Sequence, residues 1–295
     1  MLVAGGAAAI FASNQAAPSR PGYVPHFSHA IVIVLENKDY SEIIGSRDAP
    51  SINELAARYS LLTNYYAVAH PSQPNYLALV SGSTQGITTN CTRCRADDRN
   101  LADTLEAAGK SWKVYAEGIP YPGFKGAASG LYVKRHSAFL YFNDVLDNPR
   151  RLARIVSFAA WASDLEAETL PDYSLVVPDI CHDMHSCPVA VGDAWLRAFL
   201  PPLLASPEMN GAAVFIVFDE SSNTHAHGSN GGHVAALVLG PLVRFGARDS
   251  QLLDHYSLLR TIEQSWNLPR LGGSAAMEPI SGIWQESSPP VTTTG

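Results

Sequence analysis

Ser72 lies in the run His70-Pro71-Ser72-Gln73-Pro74-Asn75-Tyr76-Leu77-Ala78-Leu79, at the head of a short apolar stretch ending near Gly82. That spacing predicts a helix with Ser72 at its N-cap, where free backbone N–H groups and the helix dipole favour an anion. A phosphate bound there would meet the hydroxyl directly. A capping serine needs no chemistry, however, and a serine hydroxyl is a weak nucleophile until a base or a metal takes its proton. The neighbouring groups therefore decide its role.

Three apolar runs end in candidate neighbours: IVIVL leads into Glu36-Asn37, SLVVP into Asp179, and VFIVF into Asp219-Glu220. One acid after a strand is ordinarily a cap or turn residue, but three together form a set. Glu36, Asn37, Asp219 and Glu220 offer hard oxygen atoms suited to a divalent cation. Such an ion would activate the Ser72 hydroxyl and neutralise phosphoryl oxygens. Histidines gather in the same regions. His182, Asp183 and His185 lie between Cys181 and Cys187, and His225, His227 and His233 follow Asp219-Glu220. A protonated imidazole can bind a phosphate oxygen or protonate a leaving alcohol.

The elements that must position these groups read as buried strands at Ala30 to Leu35, Trp112 to Tyr115, Ser174 to Val177, Ala212 to Phe218 and Val234 to Leu239. Helical periodicity covers Ser51 to Tyr59, Asn100 to Ala108 before Gly109, Asp193 to Leu204 with a break at Pro201-Pro202, and Leu252 to Trp266. Strands alternating with helices predict an α/β fold, a three-layer α/β/α sandwich around a mostly parallel sheet, with ligands beyond the strands' carboxyl ends. Residues 1–26 read as a signal-like apolar leader and linker, 27–286 as one domain and 287–295 as a flexible tail.

The whole chain has 295 residues, a formal charge of −7 and 46% hydrophobic residues, which excludes a disordered chain. It carries no basic footprint for nucleic acid, and Lys134-Arg135-His136 and Arg150-Arg151 read as solvated surface. Beyond the leader no apolar run is long enough for a transmembrane anchor in the mature protein. Cys91/Cys94 and Cys181/Cys187 form two tight pairs, which suits local disulfides and a secreted or cell-envelope location, with zinc ligation or reduced thiols as the other readings.

The segments HAIVIVLENKDYSEIIG at 29–45, HPSQPNYLALVSG at 70–82, PDICHDMHS with GDAWL at 178–196, VFDES at 217–221 and HYSLLRTIEQSWNLP at 255–269 together resemble the phosphoesterase family of bacterial acid phosphatases and phospholipases C, within the alkaline phosphatase superfamily. The compact length is most similar to the secreted acid phosphatases of mycobacteria. The resemblance implies an alkaline phosphatase-like fold, one or two divalent metal ions held by Glu36, Asn37, Asp219 and Glu220, and a phosphoryl-enzyme intermediate on Ser72. It also implies that Asp183, His185, His70 and His233 line the phosphate site, that Asn75 touches phosphate and that His182 is near it. Many relatives have Asn where His182 stands. The implied reaction is acid hydrolysis of phosphate monoesters, small-molecule or lipid, with a phospholipase C-type diesterase as the alternative. A sulfatase is disfavoured because Tyr76 replaces the Arg of the Ser-x-Pro-x-Arg signature, and an α/β-hydrolase because no Gly-x-Ser-x-Gly elbow occurs. A binding module without activity would keep the fold and be indifferent to Ser72→Ala.

Overall fold

Val, Ile, Leu and Phe fill the central strands so completely that both faces of the sheet must be covered. The computed structural model describes residues 21–222 and 231–285. The leader up to residue 20, the segment holding His225 and His227, and the tail from residue 286 lie outside the described residues. The main strands are β1 (Ala30–Leu35), β2 (Ser60–Leu62), β3 (Trp112–Ala116), β4 (Ile155–Val156), β5 (Tyr173–Val177), β6 (Ala213–Phe218), β7 (Ala236–Leu239) and β8 (Ala247–Asp249). Among the described residues they form an eight-stranded sheet in the order β8-β2-β7-β6-β1-β5-β3-β4. Only β7 runs antiparallel to its neighbours, β2 and β6. Every position of β1, β5, β6 and β7 is buried.

The main helices are α1 (Pro50–Arg58), α2 (Ser72–Ser81), α3 (Leu101–Ala107), α4 (Phe158–Glu166), α5 (Val189–Leu204) and α6 (His255–Ser265). α1 packs on α5, and α5 meets α4 through Trp161 stacked on Phe199 at 5.0 Å. α2 packs against α3 and α6. Residues of two helices thus cap and clasp each other: Asp193 of α5 accepts from Ser51 N at 3.1 Å and Ile52 N at 2.8 Å, satisfying the first donors of α1.

α5 begins at Val189, ahead of Asp193, and runs through Pro201-Pro202 to Leu204, so the break expected at the proline pair does not occur. The prolines fall in the last turn on an exposed face, and the carbonyls of Arg197 and Ala198 that they leave without donors belong to exposed residues where water can serve. The stretch from Leu252 opens as a short strand, and its helix starts only at His255, with Asp254 capping Ser257 N at 2.9 Å. The basic triplet is also not a solvated surface. Lys134 and His136 are buried, because the apolar run Ala138 to Phe142 that follows pulls the segment into the core.

α2 is buried at all ten positions and so belongs to the core rather than to an amphipathic surface layer. It ends at Gly82, whose φ of 67° is left-handed and where a Cβ would lie 1.9 Å from Leu271 O. Both requirements exclude other residues there.

Candidate active site

Register brings the acids together. β6, β1 and β5 are adjacent and parallel, with Leu35 paired to Phe218 and Ile33 to Val176. The chain leaves β1 at Glu36 and β6 at Asp219, and Asp219 N donates to Leu35 O at 2.9 Å. The segment after β5 folds back so that Glu36 N donates to Asp183 O at 2.8 Å. That fold-back passes through Met184 at φ 78°, and Gly192 of α5 admits it: a Cβ there would lie 2.4 Å from the Met184 side chain. The Cys181–Cys187 disulfide closes the same segment, and Cys91–Cys94 is the second bridge, as the pairing by proximity predicts.

Ser72 is the first residue of α2, with Pro71 in the cap position, and its hydroxyl does not cap the helix. Oγ lies 3.0 Å from Glu36 Oε2 and 2.9 Å from Glu220 Oε1. Glu220 is clasped in turn by His70 Nδ1. Asn37 adopts φ 50° and donates its backbone N–H to Asp219 Oδ1 at 3.0 Å. The helix N-terminus offers fewer donors than its sequence suggests. Gln73 N is taken by Asn90 Oδ1 at 3.0 Å, and Pro74 has no N–H, so two of the helix's first positions offer a phosphate oxygen nothing.

His136 is the residue that sequence reasoning missed. It is fully buried, stacks on Tyr76 at 5.1 Å, and stands between two acids, with Nε2 3.1 Å from Glu36 Oε1 and Nδ1 3.1 Å from Asp183 Oδ2. Neither approach has hydrogen-bond geometry, and both ring nitrogens lack a hydrogen-bond partner. The one available signal was the apolar run beginning two residues later.

Electrostatics shows what the cluster needs. Burial, then repulsion from Asp219 and Asp183, holds the Glu36 carboxyl well above its usual range. Burial and Glu220 do the same to Asp219, and burial raises Asp183 to about 7. Burial pushes His136 well below the usual imidazole range, with Arg135 adding to the effect. Glu36 Oε1, Asn37 Oδ1, Asp183 Oδ2 and Asp219 Oδ2 are buried without hydrogen-bond partners. Buried, mutually repelling acids with unused oxygens are costly unless a cation joins them, so this donor set fits a divalent metal ion. Glu36, His136 and Asp183 also offer ligand atoms within 4.8 Å of one another.

The other expected site residues scatter. His185 is exposed at the rim, its Nε2 3.3 Å from Arg135 Nη2. His182 turns away to Glu117 Oε2 at 2.9 Å and stacks with Trp195. His233 is sandwiched between Tyr40 and Tyr66, with Nε2 3.1 Å from Thr63 O. Asn75 uses its amide on the loop before α2, accepting from Val68 N and Ala69 N and donating to Ala69 O at 2.7 Å. It therefore shapes the loop that carries His70. His255 braces Asp219 from behind, with Nε2 2.7 Å from the Asp219 carbonyl.

Residues 46–269 match the Phosphoesterase family. The chain is 34% identical over 262 residues to a phosphatidylinositol-3-phosphatase of Mycobacterium tuberculosis, across 88% of this chain and 84% of that protein. It is 33% identical over 258 residues to a probable acid phosphatase of Kluyveromyces lactis, across 83% of this chain and only 60% of the fungal protein. Phospholipases C are more distant relatives. In fold it is similar to an alkaline phosphatase superfamily protein of Vibrio parahaemolyticus, with TM-score 0.60 and 13% identity over 88% of this chain and 72% of that one. The chain belongs to the Phosphoesterase family and is a phosphoric ester hydrolase on an alkaline phosphatase-type fold.

Proposed function

We propose that the protein is an exported, metal-dependent acid phosphatase that hydrolyses phosphate monoesters through a phosphoserine on Ser72. The observation that carries this reading is the Ser72 hydroxyl, held at 3.0 and 2.9 Å by two carboxylates beside buried oxygens that lack partners. Glu36, Asn37, Asp219 and Glu220 would hold the cation, with His136 and Asp183 adjoining. Bound there, a divalent ion would polarise the phosphoryl oxygens and ease loss of the Ser72 proton.

Glu36 and Glu220 hold the Ser72 Oγ between them, and its single O–H proton is shared by the two carboxylates. In the first half-reaction the Ser72 proton passes to a neighbouring carboxylate, the Ser72 O–P bond forms as the ester P–O bond breaks, and the leaving alkoxide takes a proton. In the second, water attacks phosphorus and gives up a proton, the Ser72 O–P bond breaks, and the Ser72 oxygen regains its proton. His70 is placed to orient Glu220. His185, exposed with its ring 6.1 Å from that of His136, is the imidazole we assign to donate the proton. Monoesters are favoured because the acid phosphatase relatives cover most of this chain, and lipid-borne monoesters fall in the same class as the substrate named in the mycobacterial relative. Two disulfides support an oxidising compartment, and no helix among the described residues is long and apolar enough to cross a membrane. The test compares p-nitrophenyl phosphate with its bis-ester. Faster hydrolysis of the monoester is expected, and a strong preference for the diester would overturn the monoesterase reading.

A further inference from the structure

Three segments repeat one arrangement around the site. Each buries an acid or imidazole inside it and sets a cationic or imidazole side chain one or two residues away at its edge: Glu36 with Lys38, Asp183 with His185, and His136 with Arg135. These edge groups join. Lys38 Nζ donates to Met184 O and Asn37 O at 3.0 Å, and Arg135 Nη2 reaches His185 Nε2 at 3.3 Å. Among the described residues neither Lys38 nor Arg135 forms an ion pair at contact distance, although the chain carries a net charge of −7 and Arg135 acts on Asp183 through space. Arg135 Nε is buried with no hydrogen-bond partner. Its chain neighbours Lys134 and His136 are buried, so Arg135 is anchored on both sides beside the site. A buried donor left unmatched is unfavourable, and an acceptor brought to the guanidinium would relieve it.

The ridge is offset from the nucleophile. From Ser72 Oγ the contacts run 3.0 Å to Glu36 Oε2 and on from Glu36 Oε1 over 3.1 Å to His136 Nε2, and Arg135 lies one residue beyond. A guanidinium so placed suits an anion next to the reacting phosphoryl group rather than that group itself, and its planar fork matches phosphate oxygens. On the reading of Ser72 as nucleophile, we propose that Arg135 and Lys38 form a subsite for a second phosphate, so that the preferred substrates are phosphomonoesters carrying a further phosphate group near the scissile one.

The experiment measures phosphate release from myo-inositol 3-phosphate, myo-inositol 1,3-bisphosphate and dioctanoyl phosphatidylinositol 3-phosphate by the wild type, Arg135→Gln and Arg135→Lys. The wild type is expected to favour at least one of the two second-phosphate substrates in kcat/KM. Arg135→Gln lowers that preference about tenfold, chiefly through KM, and Arg135→Lys restores part of it. Rising salt erodes the preference more steeply in the wild type than in Arg135→Gln. A loss on the soluble bisphosphate assigns free polyphosphorylated substrates, and a loss on the lipid alone assigns a headgroup. Either supports the subsite. No wild-type preference, or an equal loss on all three substrates in Arg135→Gln, would overturn it. Ser72→Ala assayed alongside keeps the two ideas apart: turnover by that variant refutes the nucleophile, whereas absence of a wild-type preference with Ser72→Ala inactive refutes only the subsite.

Discussion

At the scale of single residues, the site couples a hydroxyl to acids that cannot stay together unaided. Asp219→Ala should lower kcat/KM by a thousandfold or more and strip tightly bound metal, measured by elemental analysis after gel filtration, because its carboxylate sits fully buried against Glu36 and Glu220. Ser72→Ala should lose as much activity and retain the metal. His136→Ala should cost about 2 kcal/mol or more of stability and reduce kcat more than it raises KM, since it opens a cavity beside Tyr76 and frees the Glu36 carboxylate. The strand-end acids were legible in the sequence because a parallel sheet delivers its ligands at carboxyl ends. His136 was not, because a basic triplet looks the same in sequence whether solvated or buried. Asn75, His182 and His233 carry the motif identities expected at the site, yet their hydrogen bonds and ring contacts are with the loop before α2, with Glu117 and with Tyr40 and Tyr66. Such partners are set by three-dimensional proximity that no spacing reveals.

At the scale of elements, α2 and the segment 181–187 aim the site while α5 clasps the scaffold. Asp193→Ala should therefore destabilise the protein by about 1–2 kcal/mol in chemical denaturation, through the uncapped α1, with kcat within twofold of wild type. Replacing Cys181 and Cys187 by Ser should do the reverse in emphasis, with activity falling more steeply than the denaturation midpoint, because that segment carries Asp183 and His185. The five strong strands and their approximate ends were readable from apolar β-branched runs. The three-residue strands β2 and β8 and the two-residue edge strand β4 were not, since such short strands carry little pattern, and the direction of β7 is not encoded in hydrophobicity at all. The passage of α5 through two prolines shows a helix-breaking signal overridden where the lost carbonyl partners face solvent.

For the whole molecule, burial of acids makes stability depend on pH in a defined direction. Glu263 lies in the core against Leu271 N at 2.8 Å and Ser274 Oγ at 2.7 Å, and burial raises it from 4.5 to about 7. The folded state thus binds more protons than the unfolded chain across that window. Its stabilising contribution is complete below about 4.5 and is lost as pH rises through about 7. Glu263→Gln should match the wild type most closely near pH 4.5 and gain on it by up to about 3 kcal/mol by pH 8, read from denaturation midpoints. A constant difference would contradict the burial argument. The overall α/β/α architecture was legible because alternation and strand-end chemistry agree with each other, and consistency across levels is what specifies a fold.

The central claim is that phosphorus passes through Ser72. The direct test is to quench the enzyme with acid during turnover of a phosphate monoester and map covalent phosphate by peptide mass spectrometry. The account predicts one phosphoryl group on the peptide containing Ser72, absent in Ser72→Ala, which is inactive. An unmodified Ser72 peptide together with undiminished turnover by Ser72→Ala would contradict it.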